Sequence, residues 1–177
     1  LKESEAQSRD LLARRASMDG RRRGLEATLE AHEGLSQGAL AVMNLIRKGE
    51  LKISAVPAAE AFIVQPEFGL AFETALGAAA NDLIVDSDRQ AKAAIESLKH
   101  RQLGRATFQP LSMVKDTGIR PELRLLAQRQ KGVIGVAADL AECAVEYRPV
   151  LNSILGRILI VESIDDAIRL GLRQDLG

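Results

Sequence analysis

Apolar residues recur at helical spacing in the first part of the chain. Leu11, Met18 and Leu25 lie seven residues apart and Leu29 follows after four, which is the spacing of a coiled-coil seam. The pattern predicts that residues 1–33 form a helical coiled-coil arm. A frayed, solvated helix without a partner is the alternative.

The pattern then alternates between helical and strand periods, which predicts an α/β (α+β) fold of small sheets with helices on their faces. After a break at residues 34–38, the predicted helices cover residues 39–48, 66–76, 88–101, 146–155 and 164–173. The predicted strands cover residues 51–56, 61–65, a short run from Leu83, and residues 105–109, 133–138 and 158–161. Residues 112–131 are interpreted as a polar connector.

The helix from Pro66 has an apolar face of Phe68, Phe72, Ala75 and Leu76, and two other helices also carry apolar residues at helical spacing. In the first of these two, Leu40, Met43 and Ile46 lie on successive turns. The helix after Ser87 carries the spacing i, i+3, i+4 and i+7, at Ala91, Ala94, Ile95 and Leu98. We expect both faces to be buried.

The second half of the chain repeats the first. The paired segments are Glu67-Phe68 with Glu146-Tyr147, Leu76-Gly77 with Leu155-Gly156, and residues 83–87 with residues 159–163. The repeat predicts two related subdomains, residues 34–117 and residues 118–177. Because each is too small to bury a large core alone, we expect the two to pack on each other or on a second chain.

Composition narrows the possible functions. The chain has 177 residues, 24 basic and 24 acidic side chains, 46% apolar residues and only 3% aromatic residues. A net charge of zero argues against coating nucleic acid through an overall field, so any DNA contact must be a local patch. A single cysteine, Cys143, and the lack of an apolar run of about 18 residues predict a cytoplasmic protein without a membrane span. We expect the Cys143 thiol to be buried and inert.

Candidate catalytic chemistry is sparse. Two histidines, His32 and His100, and one cysteine cannot form a zinc site of the usual spacing. No P-loop, nucleophile elbow or dinucleotide fingerprint occurs. The sequence therefore predicts a fragment without enzymatic activity and without a cofactor, while a duplicated α/β domain that binds a small ligand or acts as an enzyme is the alternative.

A cluster of basic residues is the main candidate site. Lys99, His100 and Arg101 end a predicted helix and Arg105 opens the next strand. They either stabilise the carboxyl end of the helix dipole or form a small patch that contacts phosphates. A second group on the connector, which comprises Arg120, Arg124, Arg129 and Lys131, is interpreted as a solvated face.

The segment Gly104-Arg105-Ala106-Thr107-Phe108-Gln109-Pro110-Leu111 resembles a signature of the hinge of bacterial SMC (structural maintenance of chromosomes) proteins. The segments Gly132-Val133-Ile134-Gly135 and Tyr147-Arg148-Pro149 agree with it, and the resemblance covers residues 33–173. Two departures are that residues 50–62 lack the usual glycine-rich opening and that His100 stands where relatives often have lysine.

The resemblance implies a fold of two related subdomains that pairs into a homodimer and joins two coiled-coil arms into a ring around DNA. It implies DNA contact at Lys99 and Arg105, and ATP and magnesium only at distant head domains, where kleisin-type partners are expected. A nucleoid-associated protein without a membrane partner is implied. Candidate dimer contacts are the glycines Gly104, Gly132, Gly135 and Gly156. The family continues past residue 177 with a strand and a Gly-Gly segment, so the second subdomain is expected to be incomplete at its C-terminus.

Overall fold

Short helices alternate with short strands in the computed structural model of the protein, which describes residues 35–171. The helices are α1 (Gln37–Arg47), α2 (Ala58–Ala61), α3 (Gly69–Leu76), α4 (Asp88–Arg101), α5 (Pro121–Gln128), α6 (Arg148–Leu155) and α7 (Ile164–Gly171). The strands are β1 (Ala55–Pro57), β2 (Ile63–Val64), β3 (Leu83–Val85), β4 (Phe108–Pro110), β5 (Val133–Val136), β6 (Ala141–Glu142) and β7 (Leu159–Val161). Short 3₁₀ turns precede α3 (Pro66–Phe68) and α6 (Val145–Tyr147).

Three small sheets organise these elements. The first has the order β1-β3-β4, in which β3 is antiparallel to β1 and parallel to β4. Helix α4 makes the crossover that a parallel pair requires. The second sheet pairs β5 with β7, and its register shifts between Val133 and Gly135. The third pairs β2 with β6 and so joins the two halves of the chain.

The pairing of β2 with β6 reflects the internal repeat. Ile63 stands opposite Glu142, and these two residues lie four positions before Glu67 and Glu146, the equivalent glutamates of the two copies. Each residue therefore faces its own counterpart.

One hydrophobic core spans both halves. Phe72 and Leu76 of α3 lie in the same buried cluster as Val150, Leu151 and Leu155 of α6. Residues 36–171 accordingly belong to one compact unit. The predicted mutual packing is confirmed, and the fold class is that predicted. A boundary between residues 117 and 118 stays a prediction.

The buried face of α1 is displaced by one position along the sequence from the predicted one. Ala39, Val42 and Leu45 are buried, whereas the predicted residues are only half-buried. The reason is tertiary: the backbone of Arg105 lies directly against Gly38, so the side of the helix with the smallest residues faces inward. Helix α4 buries Ala91, Ala94 and Leu98 as predicted.

Ile95 was also predicted to be buried and is 50% exposed. Its neighbours on the predicted face already fill the contact with β3 and β4. Ile95, at position i+4 of the predicted face, therefore lies outside the buried stripe of the helix.

The predicted connector and several predicted strands also needed correction. Residues 121–128 form α5, with Pro121 in its first turn, where the missing N–H costs nothing. Strands predicted at 51–56, 61–65, 105–109 and 133–138 are shorter, because pairing stops where no partner backbone lies alongside. Strand β6 was not predicted, since two residues are too few for a period to show. The coiled-coil prediction for residues 1–33 and the end of the last predicted helix lie outside the described residues.

Candidate functional site

The basic cluster lies at the carboxyl end of α4. Ser87 begins this helix, since its hydroxyl accepts a hydrogen bond from the Gln90 N–H at 3.4 Å. Gln102 ends it in the left-handed conformation at φ 54°, and Gly104 follows at φ 93°. These two residues turn the chain towards β4. Lys99, His100 and Arg101 consequently occupy the last helical turn, where cations favour the helix dipole.

The four predicted residues differ in their electrostatic surroundings. Arg101 donates to the carboxylate of Glu50, and this hydrogen bond with the guanidinium charge lowers the pKa of Glu50. Lys99, His100 and Arg105 are exposed, and no ion pair involves them within residues 35–171. Three of the four predicted residues can therefore reach an anion without first breaking an ion pair.

Gly104 packs against the start of α1 in the same chain. A Cβ built on it would lie 3.5 Å from the backbone nitrogen of Gly38. The two glycines allow the start of α1 and the loop before β4 to approach closely. The positive φ of 93° accounts for a glycine at this position, and a role of Gly104 in a dimer stays a prediction.

The other three candidate glycines also make contacts within the chain. Gly132, at φ 79°, lies against the carboxylate of Asp166, and a Cβ built on Gly135 would lie 3.4 Å from Leu140 Cδ2. A Cβ built on Gly156 would lie only 2.8 Å from the Cα of Gly118. Their proposed role in association with a second chain stays a prediction.

The second basic group has mixed surroundings. Arg124 donates to Asp139 Oδ1 at 2.8 Å and ties α5 to the turn before β6. Arg120, Arg129 and Lys131 are exposed around the same helix. These three residues lie on a solvated face, whereas Arg124 is held in its ion pair with Asp139.

The strand edge of β7 is a feature that the sequence analysis did not single out. Asp82 and Ile158 direct their carbonyls to β1 and β5, respectively. Because backbone groups alternate in direction along a strand, the N–H and C=O groups of Leu159 and Val161 point away from β5. In the first copy the equivalent Leu83 and Val85 bond to residues flanking β4. In the part of the chain that the structure describes, no strand covers this edge of β7. The repeated Leu-Ile-Val was the sequence signal for it.

Titratable groups with shifted pKa values are scattered through the fold. Burial raises the pKa of Asp82, which accepts from Gln109 Nε2 at 2.7 Å. Hydrogen bonds from Ser163 and Arg169 lower the pKa of Asp166. Each of these groups has its own structural partner.

Cys143 was expected to be buried and is only partly so, because it follows the two-residue strand β6 at the surface. Burial still raises the pKa of its thiol, which opposes thiolate chemistry. Within residues 35–171 there is no cluster of three metal-ligating side chains, nor a helix long and apolar enough to cross a bilayer.

These features define a duplicated α/β module with a free strand edge and a small basic patch. The model of the SMC proteins Flexible Hinge Domain family matches residues 55–171, and the chain belongs to this family. It is 39% identical over 113 residues, 64% of this chain, to the chromosome partition protein Smc of Mesomycoplasma hyorhinis. It is 31% identical over 141 residues, 78% of this chain, to that of Bacillus subtilis strain 168. The chain spans 12% of the length of each of these two relatives.

A solved structure is similar over nearly the whole chain. This structure is an asymmetric dimer of the Geobacillus stearothermophilus SMC hinge domain, with a TM-score of 0.88 and 29% identity. The match covers 96% of this chain and 69% of that one. The fold is therefore that of an SMC hinge.

Proposed function

We propose that this chain is the hinge of a longer bacterial SMC protein and that it pairs with a second copy to join two coiled-coil arms. Within residues 35–171 no strand covers the edge of β7 that faces away from β5, and we propose this edge as one contact, because unpaired strand backbone can accept another strand. The dimeric state of the similar Geobacillus hinge supports it. The module acts without catalysis, while ATP, magnesium and kleisin-type partners belong to segments beyond it. The whole protein acts on DNA in the cytoplasm, at the nucleoid.

Sedimentation velocity tests the pairing. We expect the protein to sediment at twice its mass of 19.1 kDa at micromolar concentration. Val161→Pro removes an N–H from the open edge of β7 and leaves the ladder with β5 intact. This variant should dimerise at least about tenfold more weakly, equivalent to about 1.4 kcal/mol.

Ala55→Pro is the matched control, because Ala55 lies on β1 and its backbone points away from β3. It should leave the dimer unchanged. If a folded V161P protein dimerises as well as the parent, or if the parent is monomeric throughout, the proposed use of β7 is wrong.

A second function, direct contact with DNA, is favoured by the exposed Lys99 and Arg105, which flank the end of α4 and make no ion pair within residues 35–171. Binding to duplex DNA should weaken with salt, with a slope of about 0.9 in log affinity for each phosphate contact. Lys99 and Arg105 together predict a slope near 2 on this rule. Net neutrality of the chain limits any larger, non-local contribution.

Fluorescence anisotropy with a labelled duplex at several salt concentrations tests this contact. The K99E/R105E protein should lose most of the affinity and the salt slope. Lys92→Glu is the control, since Lys92 is an exposed lysine of the same helix whose ammonium lies 4.0 Å from Glu96. An unchanged slope in K99E/R105E would remove the DNA contact and leave the dimer proposal untouched.

A further inference from the structure

A groove of about 440 Å³ lies on the outer face of the β2–β6 pair, where the two copies of the repeat meet. This size falls within the range of roughly 300–1,000 Å³ that is typical of ligand sites. Residues from both copies line it, so the groove exists only once the halves have packed.

Apolar side chains form one part of the groove wall. Ile63 is 68% exposed on β2, and it is flanked by Pro66 and Phe68 of the following 3₁₀ turn. Leu140 closes the opposite side from the turn before β6. A single exposed isoleucine is ordinary on a protein surface. Four apolar side chains around one concavity form a site that can take up an apolar side chain.

The groove is also negatively charged. Glu142 faces Ile63 across the strand pair, so both side chains project from the same face. Glu142 has no ion pair within the described part of the chain. Asp139 also lines the groove, but its carboxylate is ion-paired with Arg124, so Glu142 supplies the uncompensated negative charge. No lysine or arginine lines the groove.

The groove is held in shape by the structure around it. Val64 and Ala141, the neighbours of Ile63 and Glu142 on the two strands, pack into the core on the other face. Arg148 Nη1 donates to the Ala138 carbonyl at 3.1 Å and fixes the turn that carries Leu140. A preformed site loses less free energy in ordering when a ligand binds.

We propose that this groove binds an extended segment of another protein that carries an apolar side chain next to lysine or arginine. The apolar side chain lies on Ile63 between Phe68 and Leu140, and the cation pairs with Glu142. A nucleic acid does not fit, because its phosphates would meet Glu142 at like charge. The site is separate from the β7 edge and from the basic cluster, so it adds a third binding surface to the hinge.

Three labelled nine-residue peptides test the proposal against the full chain. One alternates lysine with leucine and valine, the second replaces lysine by glutamate, and the third replaces leucine and valine by serine. Anisotropy should show the first peptide binding at least about tenfold tighter than either other peptide, equivalent to about 1.4 kcal/mol. The methyl signals of Ile63 and Leu140 should shift with the first peptide.

Two variants locate the contact. Ile63→Ser and Glu142→Lys should each weaken binding of the first peptide by about tenfold or more, or about 1.4 kcal/mol. Val145→Ser and Glu146→Lys are matched controls, because Val145 is 88% exposed, Glu146 is an exposed carboxylate, and neither lines the groove. Both control proteins should bind like the parent.

Three results would overturn the proposed peptide site. Equal binding of the lysine and glutamate peptides, or of the parent and the I63S protein, overturns the proposal. If I63S or E142K changes the sedimenting mass without peptide, the groove is a contact between copies of this chain and the proposal is wrong. The dimer and DNA proposals have separate readouts, so this site can fail without them.

Discussion

At the scale of single residues, close backbone contacts decide which side chains are tolerated. Gly38 lies in the first turn of α1 against the carbonyl of Arg105. Gly69, in the first turn of α3, has no atom within 4 Å of a built Cβ. The same residue type therefore has a packing role at one helix start and none at another.

Gly38→Ala should destabilise the protein even though alanine favours helices. The added Cβ would overlap the backbone of Arg105, which cannot rotate away as a side chain can, and overpacking of this kind costs about 1–3 kcal/mol. Gly69→Ala is the control and should raise the free energy of unfolding by up to about 1 kcal/mol. Urea unfolding measures both, and equal effects of the two substitutions would contradict the packing role.

Asp82 should make stability depend on pH. It is only 7% exposed, and burial raises its pKa. The folded state therefore holds a proton that the unfolded state has released, and the free energy of unfolding should fall as the pH rises from the unfolded pKa through the raised folded one. Asp82→Asn should remove this fall in urea titrations at several pH values. An unchanged pH profile in D82N would show that another group is responsible.

At the scale of elements, serine caps begin two of the longer helices. Ser36 accepts from the Ala39 N–H at 3.4 Å and begins α1, and Ser87 does the same for α4. Strands of two to four residues could not be stable alone, and each depends on its partner strand.

Ser87→Ala should remove the cap of α4 and lower the free energy of unfolding by about 1 kcal/mol. Ser97 lies inside the same helix, so Ser97→Ala should be neutral or slightly stabilising, by about 0.5 kcal/mol. Thermal unfolding followed by circular dichroism compares the two proteins. If S97A is as damaging as S87A, the cap is not the cause.

At the scale of the whole molecule, the two copies of the repeat share one core. Leu151 of the second copy is fully buried in the cluster that contains Phe72 of the first. Strands β2 and β6 join the copies through backbone pairing as well. The two copies should therefore unfold as one unit.

Leu151→Ala should test this cooperativity. The lost contacts and the cavity should cost about 2–5 kcal/mol. Fluorescence of Tyr147, the single tyrosine, reports the second copy, and the aromatic signals of Phe72 report the first. Both probes should shift to lower urea by the same amount. Separate transitions for the two probes would show two independent subdomains.

The accuracy of the sequence predictions followed the length of each pattern. Helix α4, with four apolar positions and a serine cap, was predicted nearly to its ends, although Ile95 proved exposed. Helix α5 was missed because Gly118, Pro121 and five basic residues suggested a polar connector. The basic cluster was predicted, but the sequence did not show that Arg101 is ion-paired while Lys99 is not. The partner of Arg101 is Glu50, which lies 51 positions away from it in the chain.

The sequence by itself determined the repeat, the helices and strands that recur in both copies, and the family, because these depend on local spacing and on residues that stand next to one another. Tertiary structure alone decided which face of α1 is buried, which edge of β7 is open, and that Ile63 and Glu142 line one groove. Those features depend on backbone pairing and packing between segments far apart in the chain, and no local period encodes them.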